Sequence, residues 1–172
     1  MKKIGVLIGN LYETSEYGDP AKAFKEEGYE LVHIGKEKGE EVSDKNGENP
    51  ITIEATADGL SPEDFDGVLI PGGFSPDMLR AEKPILEFLQ HYFALSKPVF
   101  AICHAAQLLV SAEVLNGRTL TCYRSVVMDV KNAGANYVDR EVVVDRNLIT
   151  SRTPDDLPAF IDASVKMLKE KA

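Results

Sequence analysis

Cysteine is scarce in this chain. Two residues of 172, Cys103 and Cys122, are too few to staple a small secreted domain, and neither stands in a C-x-x-C or Cys/His spacing that would hold zinc. A reducing, cytoplasmic setting with no metal is the expectation. Basic residues are also in deficit: 19 Lys and Arg face 28 Asp and Glu, a net charge of -9. Such a field repels phosphate backbones and anionic lipid, so neither stable nucleic-acid binding nor attachment to a membrane surface is expected. Long apolar runs are missing as well. The run Ile4 to Ile8 after Met1-Lys2-Lys3 stops at Gly9-Asn10. It is too short for a signal peptide, and nothing approaches the roughly 18 apolar residues of a membrane span. No internal repeat or low-complexity tract divides the chain, and its length fits one domain over residues 1–172.

What is present is the composition of a folded protein, 44% hydrophobic and 27% charged. Lys3 to Gly9, Tyr29 to Ile34, Gly67 to Ile70 and Pro98 to Ile102 are short, nearly continuous apolar runs, the pattern of strands buried on both faces of a parallel sheet. Helical or polar segments separate them. This is βαβ patterning and predicts an α/β fold. Asp19-Pro20 reads as the cap and first residue of the opening helix, which Gly28 stops. Residues 35 to 53 read as an exposed hairpin excursion. Further helices are expected over Pro84 to Leu95, His104 to Leu115 and Arg124 to Ala133, and from Asp155 or Asp156 to about Lys169. A hairpin is expected between Tyr137–Asp145 and Asn147–Thr150.

Three strand ends carry chemistry. Pro98-Val-Phe-Ala-Ile-Cys103-His104 runs from a buried strand straight into a helix, which places Cys103 on a sharp turn above the carboxyl edge of the sheet. A helix N-terminus there favours a thiolate. Pro71-Gly72-Gly73 follows another buried strand, and its glycines would let a backbone N–H approach a ligand as an oxyanion donor. Glu13, after the first strand, could share a proton with a thiol or serve as acid or base for a carbonyl substrate. A packed structural cysteine, a plain turn and a solvated loop acid are the ordinary alternatives for these three features. Glu16, in the same loop, is the less distinctive acid. Cys122 reads as a packed strand residue, and His33 and His91 as structural or solvated.

These segments, together with Asn132-Ala-Gly-Ala-Asn-Tyr137, Glu141-Val-Val-Val-Asp145 and Thr150-Ser-Arg-Thr-Pro-Asp-Asp-Leu-Pro-Ala-Phe160, resemble the ThiJ/PfpI family of the class I glutamine amidotransferase-like superfamily over nearly the whole chain. The resemblance is greatest to short bacterial PfpI-type members described as intracellular proteases, general stress proteins or deglycases. It implies a flavodoxin-like three-layer sandwich with Cys103 as nucleophile and His104 beside it. It further implies that Glu13 hydrogen-bonds the thiol, that the Gly72-Gly73 turn acts as oxyanion donor and that Tyr123 lies near the pocket. It also implies that Asp77, after Pro-Gly-Gly-x-x-Pro, reaches the histidine across a subunit interface, in a homodimer or a larger assembly. No cofactor is implied. Two departures stand out: Ala105-Ala106 replaces the Gly-Pro usual after Cys-His, and Thr14 replaces an acid usual after Glu13.

The expected activity is a cysteine-dependent hydrolase acting on small reactive carbonyls or early glycation adducts, deglycase- or glyoxalase-like. The competing readings are an intracellular peptidase using Cys103, His104 and Asp77 on peptides, and a redox-sensing or chaperone-like stress protein without turnover. A pocket bounded by Gly-Gly suits small carbonyls, and no extended peptide groove is legible in the sequence.

Overall fold

Residues 2–172 are described by a computed structural model. A seven-stranded sheet forms the middle layer. Its five parallel core members are β1 (Lys3–Leu7), β2 (Glu30–Gly35), β5 (Ala55–Thr56), β6 (Gly67–Ile70) and β7 (Val99–Ile102), and the hairpin β10 (Val143–Asp145) and β11 (Leu148–Ser151) closes one edge. The order is β10-β11-β7-β6-β1-β2-β5, with β10 alone antiparallel. Two small ribbons lie outside it: β3 (Glu41–Val42) with β4 (Ile51–Thr52), and β8 (Thr119–Leu120) with β9 (Asn136–Tyr137).

Alternation on the central strands feeds two cores. Ile4, Val6, Leu69, Phe100 and Ile102 face α1 (Thr14–Glu26) and α6 (Leu157–Lys171), where Phe24 packs on Phe100 with ring centroids 5.5 Å apart and Phe160 and Leu168 fill the rest. Leu7, Val68, Ile70, Val99 and Ala101 face the other way. They meet Ile85, Phe88, Leu89 and Tyr92 of α3 (Lys83–Ala94), Leu108 and Leu109 of α4 (Ala106–Ser111), and Val130 of α5 (Val127–Asn132). Strands buried on both faces explain the unbroken apolar runs, and the result is the expected flavodoxin-like sandwich.

Several boundaries differ from expectation. The opening helix begins at Thr14 with Glu13 at the cap position, not at Pro20 with Asp19 as cap, and Pro20 lies inside it. A proline at that position forgoes only its own bond to the Glu16 carbonyl, and the buried Pro20, Ala21 and Phe24 face holds the helix regardless. The Tyr137–Asp145 segment splits, so that only Val143–Asp145 joins the hairpin while Asn136–Tyr137 pairs with Thr119–Leu120. The helix after Cys103 opens as a 3-10 turn over Cys103–Ala105 and is short.

Strand β1 has β2 on one side and β6 on the other, so the chain reverses its direction of growth across the sheet between β1 and β6. Crevices in α/β folds open at such a reversal, beyond the carboxyl ends of the strands. The segments that follow β1, β6 and β7 meet there. The short α2 (Ser75–Leu79) follows the second of them and is tied to the first by a hydrogen bond from the Gly9 amide to Ser75 Oγ at 2.8 Å.

Candidate active site

Cys103 sits at the end of β7 with φ +65°, a left-handed conformation that a non-glycine residue holds only where the surroundings impose it. It is 8% exposed. Its sulfur lies 3.3 Å from His104 Nδ1, and the backbone amides of His104 and Gly73 donate toward it. Both amides favour an anion on sulfur. Ala105 and Ala106 adopt ordinary helical backbone, φ -56° and -58°, and are buried, so the turn forms without the glycine and proline usual there.

The acid beside the thiol is Glu16, not Glu13. This corrects the expectation for Glu13. Because the helix starts at Thr14, its first turn swings residue 16 inward, and Glu16 is fully buried against Cys103, close enough that each group acts on the other's proton. Oε1 accepts the Gly72 amide at 2.9 Å, while Oε2 is buried with no hydrogen-bond partner among the described residues. Burial, followed by the charge of Glu13, raises the Glu16 pKa to about 8. Burial likewise pushes the Cys103 thiol up, with the Glu16 charge adding to it, so the lowered thiol pKa expected from a helix start is not found. Desolvation outweighs the two amides and a short helix. The pair is therefore best described as two groups titrating together, whose first proton leaves from the pair and not from either residue alone.

Glu13 points elsewhere, to Lys45 Nζ at 2.5 Å. Its own amide donates to the Gly72 carbonyl at 3.2 Å.

The two glycines are required sterically. A Cβ on Gly72 would overlap Glu16 Oε1 and come within 2.9 Å of Cys103 Cβ. Gly73 has φ +74°, and a Cβ there would lie 2.6 Å from the Glu13 nitrogen. Their amides differ in use: Gly72 is committed to Glu16, which leaves Gly73 as the donor facing sulfur.

His104 stacks on Tyr123, with centroids 4.6 Å apart and planes 22° from parallel, and its Nε2 lies 3.4 Å from Ser125 Oγ. Burial lowers its pKa, so the ring is neutral near pH 7. Tyr123 is thus brought to the site, and its amide also bonds the Cys103 carbonyl at 3.1 Å. Asp77 is not brought to the histidine within this chain. It lies exposed on α2, where Met78 and, just before the helix, Phe74 are also exposed, at 46% and 59%. Among the described residues no carboxylate reaches His104.

Sequence reasoning missed two participants. Glu16 would have been found by starting the helix after the strand-end loop, which sets residues 13 and 16 on different faces. Lys45 gave no signal, because it arrives from the excursion after β3.

The family model for the DJ-1/PfpI family matches residues 2–167. Among curated proteins, General stress protein 18 of Bacillus subtilis is 51% identical over 170 residues, covering 98% of this chain and 99% of that protein. Protein/nucleic acid deglycase 2 of Escherichia coli is 48% identical over 168 residues, 97% of this chain and 98% of that one. Among solved structures, a two-domain protein from Anabaena variabilis with DJ-1/ThiJ/PfpI-like and ferritin-like domains superposes with TM-score 0.95 at 36% identity, over 98% of this chain and 48% of that one. With a whole-chain family match, relatives of equal length and the thiol–carboxyl elbow in place, the chain belongs to the DJ-1/PfpI family.

Proposed function

We propose that the protein is a cytoplasmic cysteine-dependent hydrolase that acts on small reactive carbonyls or their early glycation adducts. The observation that carries this reading is the buried Cys103–Glu16 pair, a nucleophile packed beside a carboxyl whose pKa of about 8 suits proton transfer near neutrality. The deglycase name of the 48% identical relative points the same way.

On a 2-oxoaldehyde, sulfur adds to the aldehyde carbon and the carbonyl oxygen takes a proton, giving a hemithioacetal. Glu16 removes the proton on that carbon and returns it to the neighbouring one, while the hydroxyl proton passes to the neighbouring oxygen, which yields a 2-hydroxy thioester. Water cleaves the carbon–sulfur bond, releasing the 2-hydroxy acid and the thiol. One water is consumed and no electrons leave the pair of carbons. In a glycation adduct the attacked carbon carries nitrogen, which departs as the free amine when sulfur takes its place. The Gly73 and His104 amides stabilise the anionic sulfur before attack and after release.

The active unit in this reading is a homodimer in which Asp77 orients His104 of the partner subunit. Asp77 and Met78 on α2 and Phe74 just before it are exposed together beside the site, and among the described residues His104 Nε2 holds only a long contact to Ser125. Mixing Cys103→Ser and Asp77→Ala subunits under exchange conditions should restore roughly one quarter of wild-type turnover, since half the dimers carry one intact site. Recovery of only the parental average would place Asp77 outside the site.

Purified protein assayed in parallel on methylglyoxal, a glycated amino acid and a fluorogenic peptide, each with a Cys103→Ser control, tests the reading. Cys103-dependent turnover of the first two supports it. Turnover of the peptide alone supports acyl transfer by the same thiol, and peroxide oxidation of Cys103 without any turnover supports a redox role.

A further inference from the structure

The excursion between β2 and β5 does more than pair β3 with β4. Its tip, residues 43 to 49, is organised around Asp44, which is almost fully buried and accepts the amides of Asn46 and Glu48, the Asn49 amide group and the Thr14 hydroxyl, each at 2.8 or 2.9 Å. These bonds hold the Asp44 pKa down at about 2, so the tip stays assembled at any ordinary pH. Thr14, the departure from the usual family acid, supplies one of these four donors. A second carboxylate at position 14 would face Asp44 directly.

Tyr12 joins the tip to the active site. It bridges to Asp44 on one side and to Gly73 on the other, its carbonyl accepts the Lys45 amide at 3.0 Å, and its hydroxyl bonds the Asn49 carbonyl. The Lys45 backbone is thereby tied near the Gly72-Gly73 turn, and its side chain, 46% exposed, sets its ammonium on Glu13 at 2.5 Å. The charges around it are Glu13 just before α1, Glu16 from its first turn and Cys103 from the elbow, all of which favour its protonated form. His104, the remaining titratable group of the elbow, is neutral near pH 7.

We infer that Lys45 is a positioning residue of the nucleophile, a cation held by Glu13 and the Asp44-centred tip that stabilises the anion formed when the Cys103–Glu16 pair gives up its first proton. This rests on Cys103 being the nucleophile. The pair is dehydrated and flanked by Glu13, so an anion there meets an unfavourable field that one fixed ammonium offsets. Glu13 has the opposite sign of influence. It anchors Lys45 and weakens its field.

The test is the pH dependence of Cys103 alkylation by iodoacetamide, read by peptide mapping with Cys122 as internal reference, and it needs no substrate. Lys45→Met should slow Cys103 alkylation at pH 7 about three- to tenfold, the scale of one nearby, partly screened charge, and move the profile to higher pH. Lys45→Arg should restore it, and Glu13→Gln should speed it. Anionic iodoacetate should lose more rate than iodoacetamide in Lys45→Met. A loop that serves only as scaffold would move both variants in the same direction with both reagents, and that result, or no shift in Lys45→Met, overturns the inference. If wild-type Cys103 reacts no faster than Cys122, the nucleophile reading itself fails, an outcome distinct from an active thiol insensitive to Lys45.

Discussion

Cys103 and Cys122 stand close together, linked through the hydrogen bond from the Tyr123 amide to the Cys103 carbonyl, and both are buried free thiols. Burial pushes both pKa values up, that of Cys122 to about 12. Yet their surroundings share little else. Cys122 packs in the core on the α3–α5 face of the sheet, with no donor aimed at sulfur among the described residues and with no positive φ. Cys103 has a left-handed φ, two amides, an imidazole and a carboxyl around it. Dehydration alone makes a thiol inert, and a reactive site needs in addition groups that can take its proton and hold its charge. The contrast lies in partners, not in exposure.

The largest effect that would break this contrast is loss of turnover. Cys103→Ser should reduce aldehyde turnover at least about 1000-fold, whereas Cys122→Ala should leave kcat within about twofold and lower stability by about 1 kcal/mol through lost packing. Steady-state kinetics and urea unfolding of both variants check this, and comparable losses of activity in the two would erase the distinction. Next in size, Gly73→Ala places a Cβ against the Glu13 backbone at a positive φ. It should cost about 1–3 kcal/mol of stability and most of the activity, by moving the amide that faces sulfur. Retained activity in a folded Gly73→Ala protein would remove Gly73 from the site.

A smaller effect concerns stability and pH. The folded pKa of Glu16, about 8, lies above its ordinary value of 4.5, so the folded state binds this proton more tightly. The resulting stabilisation is complete below about pH 4.5 and is lost as pH rises through 8, with a slope of at most ~1.4 kcal/mol per pH unit. Glu16→Gln cannot ionise. Its stability relative to wild type should therefore improve steadily between pH 5 and pH 8 in chemical unfolding, and a flat difference would mean that Glu16 is not held protonated.

The architecture was legible because buried parallel strands write themselves as apolar runs: β6 was located to the residue, and β1, β2 and β7 within two residues at each end. So was the meeting of three strand ends, since Cys103, Gly72-Gly73 and an acid loop all follow such runs. The identity of the acid was not legible. Asp19-Pro20 is a strong local start signal, and the helix overrides it because Pro20, Ala21 and Phe24 bury on the sheet together with Glu16 one turn earlier. Moving the start by six residues exchanges which glutamate faces inward. Lys45 was illegible for another reason: its position depends on Tyr12 bridging two distant segments, a contact with no local pattern.

The central claim is that Glu16, three residues from the acid the strand end suggested, shares the proton of Cys103. The pH dependence of methylglyoxal turnover in Glu16→Gln and Glu13→Gln, measured side by side, tests it most directly. Glu16→Gln should lose about 100-fold or more in kcat and lack the titration that wild type shows near pH 8, while Glu13→Gln should keep both turnover and titration, displaced to lower pH. Turnover and titration retained in Glu16→Gln but lost in Glu13→Gln would contradict the assignment.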